Sequence, residues 1–416
     1  MARLRPLALL AALTLIAGAC SGDSFVENTA TTAPTPTTAR PATTTPGDGE
    51  TNDARDEIQA RIDELIIEAQ QLRDLEFLEP VEVILLSDEE YQARFREIID
   101  EELATEDVEA INAVLRLLGI IQPDDDYLEL IETLLTSGTG GFYDPDTGEL
   151  VVRLFDDEFG PYAESVVIHE LVHALQDQHF DLLDNDDLEG DLAYVASAIV
   201  EGDALLREVS YVQAMSLADQ AAYIAATADI DLSALDTLPG YIVEGFQAAY
   251  LDGFFFHQEI GLDEIDSQFT NLPESSEQLL DQDKYRRDEQ PRPVVLPDLE
   301  LPGYTLWFDA TAGQKDLELL LTDGIGAGEA ERAAVGWGGD ANRIYNTGED
   351  EAVYILQYLG DTKVEAEQLE AAFVEFIDNM VSDDAFTVVE RDADELLVII
   401  ASDPAVGPSL RAAFSS

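Results

Sequence analysis

Two histidines one helical turn apart, His169 and His173, are the residues of this sequence best suited to bind a metal ion. Side chains at positions i and i+4 of a helix project from the same face, so both imidazoles can reach one ion. Glu170 directly follows the first histidine, where its carboxylate can act as a general base on a water molecule at that ion. The segment therefore predicts hydrolytic chemistry at a bound metal, with zinc as the expected cofactor.

The residues around the two histidines predict a buried helix. Val166, Val167 and Leu171 are among its apolar neighbours. Burying two imidazoles without a metal or a hydrogen-bond partner costs free energy. A metal site is therefore the favoured interpretation, and two ordinary core histidines are the alternative.

A catalytic zinc ion takes three protein ligands and one water, so a third ligand is needed. We expect it to be Glu201, because the intervening segment is long enough to reverse the chain and bring a second helix alongside. His179 is an alternative, although it would be rotated by about 240° from His173 if the helix continues. Another carboxylate is the remaining choice. Asp203 is expected either to orient a ligand histidine or to be a solvated helix charge.

These residues must be positioned by helices on both sides of a reversing loop. Apolar periodicity predicts them at 162–180, 191–215 and 240–260. Before them, two apolar runs around an Asp-Pro-Asp-Thr-Gly turn predict a β-hairpin over 140–152, which either borders the substrate cleft or serves only as scaffold. Further upstream the patterns predict a helix from residue 54, a strand at 81–86, a capping box at Ser87 and Glu90, and helices at 106–118 and 124–135.

The whole pattern predicts an α+β fold. A proline-rich crossing at 291–297 marks a boundary, and residues 291–416 are expected to form a mixed α/β C-terminal region. There we expect strands at 353–359, 386–389 and 396–400 around a helix at 364–380. The glycines of 336–339 predict a tight turn before a strand at 343–345.

The first 20 residues have the layout of a secretory signal, with Arg3 and Arg5 preceding an apolar run. The run ends in small residues before Cys20 and resembles a bacterial lipobox, so we expect Cys20 to be lipidated and the protein to be held at the outer face of the cell membrane. A stray cysteine in a cleaved leader is the alternative. Residues 21–53 are rich in Thr and Pro and predict a disordered tether.

The charge is strongly acidic: 88 Asp and Glu against 21 Lys and Arg give a formal net charge of −67. Such a field argues against a nucleic-acid partner. A solvated acidic shell is the favoured interpretation, with attraction of a basic substrate or of Ca²⁺ as the alternative. Cys20 is the only cysteine, which excludes an internal disulfide and a cysteine-ligated metal site.

With these residues established, the chain resembles a largely uncharacterised bacterial family of gluzincin-type zinc metallopeptidases through two segments, HELVHALQDQHF at 169–180 and VEGDA at 200–204. Shorter blocks at 250–253, 273–278, 284–285 and 336–340 are also similar to that family. The resemblance implies a zincin-like catalytic domain over residues 54–290, a zinc ion held by His169, His173 and Glu201, and peptide hydrolysis with Glu170 as base.

One position departs from the family pattern. Asp281 stands where the family leads us to expect a histidine that would donate a hydrogen bond in the transition state. Tyr250, Tyr143 and His257 are the candidates to replace that donor, with ordinary packing as the alternative for each.

The sequence therefore predicts an extracytoplasmic zinc metallopeptidase that acts on a peptide or protein. The alternative is a non-catalytic binding or envelope-maintenance lipoprotein that retains the fold. No oligomeric state is predicted.

Overall fold

The computed structural model describes residues 10–13, 48–102, 105–145, 147–155, 158–180 and 188–414. The fold is α+β, as predicted, with a mainly helical region followed by a five-stranded sheet and its helices. Cys20, most of the tether and the middle of the loop between 180 and 190 lie outside the described residues. The first helix begins at Asp48, so residues 48–53 of the predicted tether are helical.

The first sheet has the strand order β1-β3-β4-β2. The predicted hairpin is present as β3 and β4, with β2 parallel to β4 and β1 antiparallel to the outer edge of β3. Because β1 comes from the predicted leader, removal of the leader would leave that edge of β3 without this neighbour. The strands are β1 (Leu10–Leu13), β2 (Val83–Ser87), β3 (Thr139–Asp144) and β4 (Glu149–Leu154).

Helices surround this sheet, and the one that carries the histidine motif, α5, lies at the centre. It begins with proline at its first position and packs on α1, on α6 and on the hairpin. Its apolar residues share a buried cluster with Leu150 and Val152 of β4. The helices are α1 (Asp48–Arg73), α2 (Asp88–Glu102), α3 (Thr105–Leu117), α4 (Tyr127–Gly138), α5 (Pro161–His179), α6 (Asp191–Ala214), α7 (Leu217–Asp229), α8 (Gly240–Ile260), α9 (Ile265–Thr270), α10 (Ser276–Leu280) and α11 (Gln282–Arg286).

The second sheet is antiparallel throughout, with the order β5-β6-β7-β9-β8. Helix α3 packs on β7, and its Ala113 and Val114 belong to the same buried cluster as Leu356 of that strand. The regions on either side of residue 290 therefore share a hydrophobic core. The elements are β5 (Thr305–Ala310), α12 (Gly313–Ile325), α13 (Ala327–Ala334), β6 (Trp337–Asn346), β7 (Ala352–Gly360), α14 (Lys363–Met380), β8 (Phe386–Asp392), β9 (Glu395–Ala401) and α15 (Gly407–Phe414).

Several elements differ from the sequence-based expectation. Helix α7 was not predicted, because it is rich in alanine and mostly exposed and so has no strong apolar face. Helices α12 and α13 were also missed. Strand β6 starts at Trp337, so most of the predicted glycine turn lies inside the strand. Gly336 and Gly339, with φ of 81° and 154°, keep backbone conformations that favour glycine.

Candidate metal centre

The two motif histidines and Glu201 come together in the interior of the protein. Helices α5 and α6 run side by side, and one carboxylate oxygen of Glu201, Oε2, lies 3.3 Å from Nε2 of His169 and 3.3 Å from Nε2 of His173. All three side chains are buried, and one donor atom from each lies within 4.8 Å of the other two. This group can hold a metal ion, and its third member is the carboxylate expected from the sequence.

The chemistry of the donors fits a divalent metal. Nε2 of His173 is buried and lies 3.3 Å from Oε2 of Glu201, but it makes no hydrogen bond of ordinary geometry to the described residues, although a buried polar atom normally has one. A metal ion would accept that lone pair and also bind the negative carboxylate of Glu201. Two imidazoles and one carboxylate leave a fourth position for water, which is the composition of a catalytic zinc site.

Neighbouring charges determine how these ligands ionise. Burial alone would lower the pKa of His169, but hydrogen bonds to Glu201 and Glu208 outweigh it and raise that pKa to about 10. Burial alone would raise the pKa of Glu201, but the two histidines lower it below its usual value. Without a metal the site thus favours a charged histidine and carboxylate, and a metal would displace the proton from the ligand nitrogen.

Glu170 is fully buried on the same helix as the two histidines. Strand β3 passes closely over it at Gly141, where an added Cβ would lie 3.2 Å from Oε1 of Glu170 and 2.7 Å from Cγ1 of Val166. A side chain at position 141 would therefore push the strand off the helix. The glycine lets the hairpin lie directly against the proposed base.

His169 is oriented by a residue that the sequence analysis did not identify. Nδ1 of His169 lies 3.2 Å from Oε2 of Glu208, and the other oxygen of Glu208 accepts a hydrogen bond of 3.0 Å from the Ser165 hydroxyl. Glu208 is seven residues after Glu201, which places both on the same face of α6. The seven-residue spacing between Glu201 and Glu208 is the sequence signal from which Glu208 could have been predicted.

His173 is oriented by Gln176 rather than by Asp203. Oε1 of Gln176 lies 2.9 Å from Nδ1 of His173, and Nε2 of Gln176 donates to Oδ2 of Asp203 at 3.0 Å. The expectation that Asp203 itself orients a histidine of the site is therefore corrected: Asp203 contacts the Gln176 amide, and Gln176 contacts His173.

Asp203 is also not a solvated charge, because its side chain is fully buried. It accepts a hydrogen bond of 2.6 Å from Nε of Arg73 and one of 3.0 Å from Nε of Arg207. Burial alone would raise the pKa of Asp203, but the two guanidinium groups hold it below its ordinary value. The carboxylate thus stays charged and anchors the Gln176 amide.

The alternative third ligand, His179, is excluded by its position. Helix α5 continues without a break to His179, whose Nε2 lies 2.8 Å from the backbone oxygen of Glu76. The side chain is directed away from the other two histidines, as continuous helical geometry requires.

Of the three proposed hydrogen-bond donors, Tyr250 lies at the metal centre. Its ring stacks on His169 with centroids 6.0 Å apart, and its hydroxyl interacts with Glu201. Burial, followed by the charges of Glu201 and Glu170, raises the pKa of Tyr250 well above its usual value, so it stays protonated. The other two candidates have partners elsewhere: the Tyr143 hydroxyl donates to Asp177 at 2.6 Å, and Nε2 of His257 lies 2.8 Å from the Ile199 oxygen.

Asp281, which replaces the expected histidine, has a structural role. Its side chain caps α11 by accepting from the backbone N–H groups of Asp283 and Lys284. Lys284 in turn pairs with Glu277 at 2.6 Å and with Glu289 at 3.1 Å. This acidic cluster already holds an ammonium group and is better described as an ion-pair network than as a second metal site.

Comparison of the chain with models of protein families, with curated proteins and with solved structures finds no match in any of the three.

Proposed function

We propose that this protein is a zinc metallopeptidase that hydrolyses peptide bonds outside the cytoplasm. One observation carries the proposal: His169, His173 and Glu201 form a buried group able to hold a metal ion, and Glu170 lies buried beside the first of these ligands. Zinc is proposed because two imidazoles and a carboxylate are a common ligand set of catalytic zinc.

The roles of the side chains follow from their positions. When bound, zinc would polarise the peptide carbonyl and lower the pKa of the attacking water. Glu170 accepts a proton from that water as the water oxygen attacks the carbonyl carbon. Glu170 then passes the proton to the nitrogen as the carbon–nitrogen bond breaks. We propose that the protonated Tyr250 hydroxyl, which interacts with Glu201 in this structure, donates to the oxygen that gains negative charge when substrate is bound.

The proposal predicts different losses in two variants. Glu170→Gln removes the base but no metal ligand, so it should retain one zinc per chain and lose hydrolysis by about 10²-fold or more. Glu201→Ala removes a ligand and should lose zinc as well. Elemental analysis and cleavage of a random peptide library measure both effects, with Glu109→Gln on the exposed face of α3 as the matched control.

Each contrary result has a clear meaning. Full activity of Glu170→Gln would remove Glu170 as the base, and a full complement of zinc in Glu201→Ala would remove Glu201 as a ligand. Bound zinc without cleavage by the wild-type protein would support the alternative of a non-catalytic binding lipoprotein. No bound metal would overturn the proposal.

The location outside the cytoplasm is part of the proposal and depends on the leader and Cys20. Within the described residues, no helix is both long and apolar enough to cross a membrane. Membrane attachment is proposed to come from lipid on Cys20, because the small residues before it resemble a lipobox. We expect palmitate labelling of the native protein, its loss in Cys20→Ala, and accumulation of the precursor with globomycin. A mature, unlabelled protein released into the medium would contradict the anchor.

A further inference from the structure

A second cavity adjoins the cavity at the metal centre. The first has a volume of about 410 Å³ and is lined by Glu201 and Tyr250 among others. The second, also about 410 Å³, lies between α3, α12 and the sheet strand β6. Both cavities are lined by the same residues where they meet: Tyr127, Tyr194, Tyr241, Asp316 and Leu319. The second cavity thus lies directly beside the cavity at the candidate metal centre.

The walls of this second cavity are mainly apolar. Aliphatic side chains from α3 and α12 and the rings of Trp307 and Phe308 contribute to them. Several polar groups on the walls already have partners within the protein: the Tyr194 hydroxyl donates to Asp252 at 2.6 Å, and Nε1 of Trp307 donates to Asp107 at 2.9 Å. Such walls bind apolar rather than strongly hydrated groups.

One polar group in the cavity stands out. The hydroxyl of Tyr354 is buried beside the Asn342 side chain but makes no hydrogen bond of ordinary geometry to the described residues; Tyr354 is 3 % exposed and lines the cavity. A buried hydroxyl normally has a partner, so a ligand that brings a hydrogen-bonding group would satisfy it. Asp316 is the carboxylate of this lining; it lies at the junction and accepts from the Tyr241 hydroxyl at 3.1 Å.

We propose that this cavity is the specificity pocket of the metal centre and takes one large aromatic side chain of the peptide substrate. The proposal rests on the proposed function and adds a substrate class to it. The volume of the cavity, about 410 Å³, lies near the lower end of the range of small-molecule pockets, about 300–1,000 Å³, and leaves room for a bulky side chain. Aromatic rings of a ligand gain from edge and face contacts with Trp307 and Phe308. A tyrosine would also bring a hydroxyl toward Tyr354.

A basic side chain is the competing occupant, but the charges favour the aromatic one. A buried cation needs a carboxylate partner at the end of its pocket. The carboxylate of the lining, Asp316, is instead where the two cavities join and already has the Tyr241 hydroxyl as a partner. A long cationic side chain that reached the apolar walls beyond it would be desolvated without a counter-ion.

The pocket can be tested through binding, which does not depend on cleavage. The probes are amino-acid hydroxamates, whose hydroxamate group binds zinc. Each of two series carries a phenylalanine, alanine or arginine side chain, and the two series place that side chain on opposite sides of the hydroxamate. Binding to the zinc-loaded Glu170→Gln protein is measured by calorimetry, with acetohydroxamate as the probe without a side chain. In at least one series we expect the phenylalanine probe to bind at least about tenfold more tightly than the alanine probe, which is about 1.4 kcal/mol.

Two variants locate the preference in the cavity. Ile344→Trp fills it from β6, and Phe308→Ala removes part of its aromatic wall; both should abolish the preference for phenylalanine while acetohydroxamate binds unchanged. The matched controls are Ile67→Trp and Phe255→Ala, at exposed positions on α1 and α8. If Ile344→Trp does not fold, as judged by its thermal melt, Phe308→Ala carries the test.

The outcomes separate the pocket from the metal centre. Equal binding of phenylalanine and alanine probes in both series, with acetohydroxamate bound, would overturn the pocket and leave the metal centre intact. Tightest binding of the arginine probe, lost in Asp316→Asn, would overturn the aromatic assignment. Failure of acetohydroxamate itself to bind would overturn the zinc centre, and the pocket with it.

Discussion

Each histidine of the candidate metal centre is held through its Nδ1 atom by a different kind of partner. His169 meets the carboxylate of Glu208, whereas His173 meets the neutral amide of Gln176, which is backed by the buried Asp203. Such partners fix the ring orientation and the tautomer that binds metal. A carboxylate also makes the ring more basic, so the two ligands are expected to differ in donor strength.

We predict that Glu208→Leu weakens zinc binding about 10–100-fold, because partners of ligand histidines typically contribute that much to affinity. Glu208→Gln retains a hydrogen-bond acceptor and should lose less. Gln176→Leu should resemble Glu208→Leu at the other histidine. Affinity is measured by competition with a chromophoric chelator, and thermal melts report whether the fold survives. Unchanged zinc affinity in both leucine variants would show that neither residue orients a ligand.

At the scale of elements, a pair of glycines brings α6 and α8 into backbone contact. A Cβ added at Gly253 would lie 1.7 Å from the backbone oxygen of Ala198, and one added at Gly202 would lie 2.2 Å from the carbonyl carbon of Gly253. Both values are far below van der Waals contact. Gly202 adjoins Glu201, and Gly253 is one turn from Tyr250, so this close approach brings Tyr250 against His169 of the candidate metal centre.

We predict that Gly253→Ala forces the two helices apart and costs about 1–3 kcal/mol of unfolding free energy or more, as overpacking does. Zinc affinity and any hydrolysis should fall with it. The control is Gly245→Ala on the same helix, where the added Cβ meets only the Leu319 side chain at 3.7 Å. That change should stabilise α8 by up to about 1 kcal/mol. Equal urea midpoints for the two variants would contradict this interpretation of the contact.

At the scale of the whole molecule, the acidic charge and the shared hydrophobic core have opposite effects on the stability of the folded state. A formal charge of −67 repels itself in the compact state. The described basic residues are largely used in ion pairs, such as those of Arg73 with Asp203 and Arg153 with Asp88. Burial of α3 against the second sheet, by contrast, links the two parts of the chain through apolar contacts that salt does not weaken.

We therefore predict that the melting temperature at neutral pH rises by several degrees when NaCl increases from about 0.1 M to about 1 M. The Debye length falls from about 10 Å to about 3 Å over that range, which screens repulsion between surface carboxylates. At about pH 4 many of these groups are protonated, since their ordinary pKa values are near 4, and the effect should shrink. A melting temperature that falls with salt at neutral pH would contradict a repulsive shell.

The local pattern of the chain was sufficient for much of the site. The spacing of His169 and His173 places them on one helical face wherever that helix lies, because the period is a property of the backbone. The same period argued against His179, and the unbroken helix α5 then excluded it. Predicting Glu201 required one further inference, that the next helix returns alongside the first. The same inference could have predicted Glu208, which was missed.

Other features depended on contacts between distant segments, which no local period encodes. The amide of Gln176 stands between His173 and Asp203 because of how α5 meets α6, and Tyr250 reaches the ligands through the glycine contact of α8. The adjoining aromatic cavity is built from α3, α12 and the second sheet. Sequence thus determined which side chains share a face, and tertiary packing decided which faces meet.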